Sequence, residues 1–306
     1  MKRAPRNRTL SLTDADRATL AAHLQPLPGP EAAPAAWLDR VFHHDGPDLL
    51  RRLPPGSVDL LLADPPYNLS KHFNGTLFRR RPVEAYGQWL ETWLPQAREC
   101  LKPEASLYVC SDWFGSLSVA PVLARHYRVR NRITWEREKG RSAAANWKNA
   151  SEDIWFATVG PRYTFQAEAV KTRRRVIAPY RVNGQPKDWT EEKEGAFRLT
   201  GASNLWADLT VPFWSMPENT DHPTQKPEKM IARLILASTR PGDVVCDPFL
   251  GSGTTAVVCK KLGRHFIGAE TEREYALLAL KRLAQAAPGD PIQGYRDGAF
   301  RERNAP

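Results

Sequence analysis

The stretch Asp243-Val-Val-Cys-Asp247-Pro-Phe-Leu-Gly251-Ser-Gly253-Thr-Thr255-Ala-Val-Val-Cys-Lys-Lys-Leu262 decides how this chain folds. Its first four residues predict a short buried strand, and Thr254 to Leu262 has the spacing of a helix. Two glycines lie in the turn between them. Glycine lets the main chain pass close to a ligand, and a helix that starts there presents unpaired N–H groups. Strand, glycine turn and helix together form the repeating unit of an α/β sheet. A lone Gly-x-Gly recurs in many nucleotide binders, so its neighbours must sharpen it.

Working outward, Glu228 to Ser238 predicts a helix before this unit, and His265-Phe-Ile-Gly-Ala a strand after it. A further helix is expected from Glu274 to Gln285. Asp247 closes one strand, where a carboxylate can receive the amino group of an amino-acid ligand. Glu270 closes the next, where a carboxylate can accept both hydroxyls of a ribose. A ligand with an amino acid at one end and a nucleoside at the other is S-adenosylmethionine.

A second motif, Ala63-Asp64-Pro65-Pro66-Tyr67-Asn68, follows the apolar run from Val58. Such a run predicts a buried parallel strand, and ligands of open α/β sheets bind at the carboxyl edge. Two prolines in succession fix φ and stiffen the turn. The turn can aim the Asp64 carboxylate and the Pro65 carbonyl at one point, with the Tyr67 ring beside it. That point suits an aromatic amine. The lone pair of an adenine or cytosine amine is delocalised into its ring. Two acceptors gripping the amine hydrogens would localise that pair, while Tyr67 stacks on the base.

The rest of the chain supports an α/β domain with additions. Tyr86 to Cys100 has helical spacing, and Ser106 to Ser111, Val129 to Trp135 and Asp153 to Thr158 read as strands. From about Gly160 to Asp221 the rhythm breaks, and arginines, tryptophans and loop residues take over. The expected organisation is an N-terminal arm over 1–36 with a short Ser- or Thr-capped helix, then a catalytic half over 37–159. An irregular insertion spans 160–221, a cofactor-binding half 222–290 and a loose tail 291–306. The 306 residues carry a formal net charge of +10, which suits a polyanionic partner or simply a solvated basic surface. No apolar run approaches the roughly 20 residues that span a bilayer, and the basic N-terminus lacks the apolar stretch of a signal peptide. The chain is therefore expected in the cytoplasm, where its four cysteines stay reduced. None forms a Cys-x-x-Cys pair, so no metal is expected.

Taken in order, Asp64-Pro-Pro-Tyr67, His222-Pro-Thr-Gln-Lys226-Pro227 and Asp247-Pro-Phe-Leu-Gly-Ser-Gly-Thr-Thr255 resemble the β class of DNA amino-methyltransferases, over roughly Val41 to Leu283. In that class the catalytic tetrapeptide precedes the cofactor loop. The resemblance implies a Rossmann-like, seven-stranded and mostly parallel methyltransferase sheet, circularly permuted, with a small target-recognition insertion at 160–221. It implies Asp64, Pro65, Pro66 and Tyr67 as catalytic residues, and Asp247, Phe249, Gly251, Ser252, Gly253 and Thr254 as the loop that holds S-adenosylmethionine. Glu270 is implied for the ribose, Thr224 and Lys226 for a contact on the cofactor side, and Asp45 for the adenine. Where the class has Gly-Asp, this chain has His44-Asp45.

Double-stranded DNA is the implied substrate, and its target base must be flipped out of the stack to reach such a pocket. Lys71, Arg79, Arg80 and Arg81, and Arg173, Arg174 and Arg175 in the insertion, are the basic residues expected to meet the backbone. The resemblance leaves open a cognate restriction endonuclease and a homodimer, and implies no membrane. Cytosine C5 chemistry is excluded because its nucleophile comes as Pro-Cys, which this sequence lacks. A glutamine-modifying relative would carry Asn-Pro-Pro-Tyr after the cofactor loop. RNA amino-methylation and a non-catalytic DNA-binding protein stay as alternatives. Between N6 of adenine and N4 of cytosine the sequence leaves both open, with adenine favoured by Asp at the head of the tetrapeptide.

Overall fold

The computed structural model describes residues 5–29, 31–69, 71–73, 76–78, 80–137, 146–177, 180–193 and 195–302, with residues 71–73 and 76–78 described by their backbone alone. Its centre is an eight-stranded sheet. The strands run in the order Arg40–His43, His265–Glu270, Val244–Asp247, Val58–Ala63, Leu101–Ser111, Ser151–Thr158, Arg128–Glu136 and Leu205–Trp206. The first five are mutually parallel. Ser151–Thr158 runs antiparallel to both its neighbours, and the last strand is parallel to Arg128–Glu136.

The continuous apolar strands are explained by burial on both faces. Leu60, Leu62 and Val245 enter one core with Met230, Ile231, Ala256 and Ala279 from the helices Glu228–Ser238, Thr254–Leu262 and Arg273–Gln285. Leu61, Ala63 and Cys246 enter the other, with Leu49, Leu90, Val119 and Leu123 from helices on the opposite side. Burying each such leucine contributes about 1.5–3 kcal/mol.

The resemblance led us to expect seven strands. The eighth is the two-residue strand Leu205–Trp206, supplied by the irregular region. Trp206 is buried, donates its indole N–H to the Ser203 carbonyl (2.7 Å) and lies under the Arg233 guanidinium (4.9 Å). The helix expected over Tyr86 to Cys100 is two, Val83–Glu91 and Ala97–Cys100. Pro95, which has no N–H to donate, lies between them.

Beyond the central sheet, strands Thr190–Glu192, Gly195–Thr200, Thr172–Arg175, Ala299–Arg301 and Tyr295–Arg296 form a second one. The expectation of a loose tail after residue 290 is thus corrected. Phe300 is fully buried, its amide donates to the Lys171 carbonyl (2.9 Å), and its ring packs on Tyr295 and under Arg233. With Ile292 buried in the same core and Lys229 donating to the Arg301 carbonyl (2.5 Å), Phe300 ties the segment down. In the arm, the helix Asp14–Ala21 opens with a Thr13–Asp16 capping box. It is fastened to helix Arg273–Gln285 by Lys281 on Asp16 (2.6 Å) and Arg17 on Glu274 (3.0 Å).

Four acids share the carboxyl edge of adjacent parallel strands: Asp45 just beyond His43, Glu270, Asp247, and Asp64 just beyond Ala63. The register, His43 opposite Glu270 and Asp247 opposite Gly268, brings them to one level.

Candidate active site

The glycine turn is wedged in place. Gly251 and Gly253 have φ of 55° and 81°, in the left-handed region that glycine occupies without strain. A Cβ on Gly253 would lie 2.6 Å from that of Ala279, so the loop can seat against helix Arg273–Gln285 only with glycine there. A Cβ on Gly46 would lie 1.9 Å from the Pro248 carbonyl oxygen, which puts Asp45 and its helix directly against the same loop. Asp45 caps that helix, accepting the Asp48 amide at 2.9 Å.

Asp247 is almost fully buried. It accepts the Phe249 amide (3.0 Å) and the Thr255 hydroxyl (2.6 Å). Burial, with lesser repulsion from Asp64 and Glu270, pushes its carboxyl up to about 7. Such a group gains from an arriving cation. Glu270 accepts the Gly251 amide on one oxygen (2.7 Å) and the Glu272 amide on the other (2.8 Å), and burial raises its pKa as well. Phe249 packs edge-on against Trp93, with ring centroids 5.3 Å apart.

Ser252 and Thr254 are buried with their side chains turned to Arg282, which donates to the Thr254 hydroxyl (2.9 Å) and the Ser252 carbonyl (3.1 Å). What they can offer a ligand is therefore main-chain N–H. The segment before helix Glu228–Ser238 crosses the loop. There the Thr224 amide donates to His222 Nδ1 (3.3 Å), and the His222 ring sits beside Gly251.

The second motif meets this segment. Asp64 Oδ2 accepts Lys226 Nζ at 2.6 Å. Its other oxygen, Oδ1, is buried and has no hydrogen-bond partner among the described residues. The Tyr67 hydroxyl donates to Glu152 Oε2 (2.9 Å), and Lys226 Nζ lies 3.5 Å from the same oxygen and 5.0 Å from the Tyr67 ring centroid. Arg137 ion-pairs the other oxygen of Glu152. Burial and the charge of Asp64 hold the Tyr67 phenol well above its ordinary range, so it stays a neutral donor. Tyr86 steadies the turn by donating to the Pro66 carbonyl (3.0 Å).

Lys226 was expected on the cofactor side. Only its carbonyl faces the loop, accepting the Thr254 hydroxyl at 3.2 Å; its ammonium serves Asp64. Glu152, Arg137 and Tyr86 are site residues that sequence reasoning missed. The one signal, and for Glu152 alone, was the acidic pair Glu152-Asp153 just ahead of the apolar run from Ile154 to Ala157.

The basic residues are dispersed. Arg174 and Arg175 are exposed on the second sheet. Arg173 beside them is engaged by Glu192 (2.5 Å) and lies flat on the Phe197 ring (3.3 Å). Arg80 covers the Phe114 ring, and the backbone of Arg81 is clasped by the Asn68 side chain. Arg79 and the side chain of Lys71 lie outside the described residues.

A mostly parallel sheet with a glycine loop and aligned acids at its carboxyl edge defines a Rossmann-like methyltransferase fold. The sequence profile of the DNA methylase family matches residues 58–281, and the chain belongs to that family. It is 34% identical over 265 residues to the Type II methyltransferase M.BglII of Bacillus subtilis, covering 83% of this chain and 71% of that one. It is 32% identical over 254 residues to the DNA adenine methyltransferase YhdJ of Escherichia coli K12, covering 81% and 83%. The fold also matches a Thermus thermophilus protein described as a DNA modification methylase and solved with S-adenosyl-L-methionine. There the TM-score is 0.55 and the identity 20%, over 87% of this chain and 99% of that one. Among the described residues no helix is long and apolar enough to cross a membrane, and no group of three or more His, Cys, Asp or Glu could hold a metal ion.

Proposed function

We propose that this DNA methylase transfers a methyl group from S-adenosylmethionine to an exocyclic amine of double-stranded DNA, N6 of adenine in preference to N4 of cytosine. The observation that carries the reading is the buried, unpartnered Oδ1 of Asp64, one strand away from the ligand-ready Asp247. Adenine is favoured by Asp64 at the head of the tetrapeptide and by the adenine-directed relative in Escherichia coli.

The residues fit the cofactor. Asp247, raised by burial, would take its ammonium, and Glu270 its ribose hydroxyls by exchanging backbone partners for them. The loop from Gly251 to Thr254 would hold it, with Ser252 and Thr254 offering main-chain N–H groups while the Gly253 amide stays on the Leu250 carbonyl (3.0 Å). Phe249, Thr224 and Asp45 would line the same site. When bound, S-adenosylmethionine supplies an electrophilic methyl carbon, whose bond to sulfur breaks with the electron pair staying on sulfur.

The protein's own work is on the amine. Asp64 Oδ1 accepts one N–H of the flipped base and the Pro65 carbonyl the other, which draws the nitrogen toward tetrahedral geometry. Its lone pair then forms the new bond to carbon, and the surplus proton leaves by way of Asp64 Oδ1. Tyr67 stacks on the base, held by Glu152 through its hydroxyl. Arg174 and Arg175, with Arg80 and Arg81 nearer the catalytic turn, meet the phosphates, as do Lys71 and Arg79 on the sequence reading alone.

The test is to incubate the protein with tritium-labelled cofactor and duplex DNA free of methylated bases, then digest to nucleosides. Label in N6-methyldeoxyadenosine supports the reading. Label in N4-methyldeoxycytidine moves the target to cytosine, and unlabelled DNA defeats the proposal.

A further inference from the structure

On the assignment of Asp64 as the amine acceptor, we propose that Lys226, held in turn by Glu152, is the positioning residue of the catalytic carboxylate. An aspartate side chain turns about two bonds, so one oxygen is fixed in direction only when the other is anchored. Lys226 provides the anchor at 2.6 Å on Oδ2, and Oδ1, which has no hydrogen-bond partner among the described residues, is the oxygen of this carboxylate left to accept. The ammonium itself cannot wander. Its side chain is 10% exposed, and it is confined by Asp64, the Tyr67 ring and Glu152, whose side chain is only 4% exposed.

Charge supports the same role. Asp64 and Glu152 are each faced by a cation, Lys226 and Arg137 respectively. Placing paired charges in a half-dry site is a poor route to stability, because their desolvation offsets the attraction. A directional role accounts for them better.

Lys226 also joins the two motifs. Its carbonyl is bonded to Thr254 in the cofactor loop while its ammonium is bonded to Asp64 in the catalytic turn. One residue therefore sets the distance between the place where a methyl donor lies and the carboxylate that grips the acceptor.

The test compares Lys226→Met, Lys226→Arg, Glu152→Gln and the Lys226→Met/Glu152→Gln double variant with the wild type and with Asp64→Ala. For each, kcat is measured on unmethylated duplex DNA, and S-adenosylmethionine affinity is measured by calorimetry. Lys226→Met should lose about 10²-fold in kcat, as for other lost transition-state alignments, with cofactor affinity unchanged. Lys226→Arg should recover part of the loss, because it restores a cation to Asp64. Glu152→Gln should show a smaller loss of the same kind, and the double variant should be no slower than Lys226→Met alone, since both act through one carboxylate. A wild-type kcat in Lys226→Met, additive losses, or a loss explained entirely by weaker cofactor binding would each overturn the proposal. If Lys226→Met does not fold, Lys226→Arg and Glu152→Gln decide by the same split. An Asp64→Ala enzyme of full activity would instead defeat the underlying assignment of Asp64.

Discussion

The Tyr67 hydroxyl donates to Glu152 Oε2 at 2.9 Å, so the ring proposed to receive the target base is held by its far end, on a carboxylate contributed by a different strand. Stacking needs the ring, and the hydroxyl only steers it. Tyr67→Ala should raise KM for DNA roughly five- to 150-fold, from about 1–3 kcal/mol of lost stacking. Tyr67→Phe should keep most of the activity. Steady-state kinetics on duplex DNA check the contrast, and equal losses in both variants would make the hydroxyl the essential part.

Asp247 makes cofactor binding depend on pH. In the empty protein its carboxyl titrates at about 7, mainly through burial, and only the ionised form pairs with an ammonium. Below that pH binding must expel a proton, so affinity should rise with pH from roughly 5.5 to 7, by at most about tenfold per unit. Calorimetry in two buffers of different ionisation heat should show proton release at about pH 6. Asp247→Asn should bind weakly and lose this slope.

Two glycines separate sterics from backbone strain. Gly253→Ala must drive a methyl into Ala279, whereas Gly263, with φ of 69°, has open space around its Cβ position. Gly263→Ala should cost about 1–2 kcal/mol of stability from the left-handed backbone alone. Gly253→Ala should cost more, by about 1–3 kcal/mol of overpacking, and should also weaken S-adenosylmethionine binding. Denaturant melts and calorimetry read both.

Arg173 and its neighbours should behave differently toward DNA. Replacing Arg174 and Arg175 together by Ala should reduce the slope of log K against log salt by about two, since each arginine neutralises one phosphate. Arg173→Ala should leave the slope unchanged, because Glu192 already holds that guanidinium. A filter-binding salt series on duplex DNA distinguishes the two.

Much of the fold was legible because its signals are local. Glu228–Ser238 and Thr254–Leu262 have the bounds their apolar spacing predicted, and both motifs lie at strand ends as expected. What escaped was tertiary. The contact of Glu152 with Tyr67 joins residues 85 apart in sequence, and that of Lys226 with Asp64 joins residues 162 apart; no spacing rule reaches so far. The strands Tyr295–Arg296 and Ala299–Arg301 are too short to show an alternating pattern, and what orders them is tertiary, the burial of Phe300 and Ile292 in the core. The second role of Lys226 was hidden because its motif pointed to the cofactor, where only its carbonyl goes.

The central claim is that Asp64 Oδ1 grips the amine in the transition state, and Asp64→Ala tests it most directly. Asp64 lies on the rim of the sheet and is not part of its core, so the variant should fold and bind S-adenosylmethionine as the wild type does. Methyl transfer from tritium-labelled cofactor to unmethylated duplex DNA should fall by about 10²–10³-fold or more, by analogy with lost oxyanion-hole donors. Transfer at the wild-type rate, with cofactor affinity intact, would contradict the mechanism.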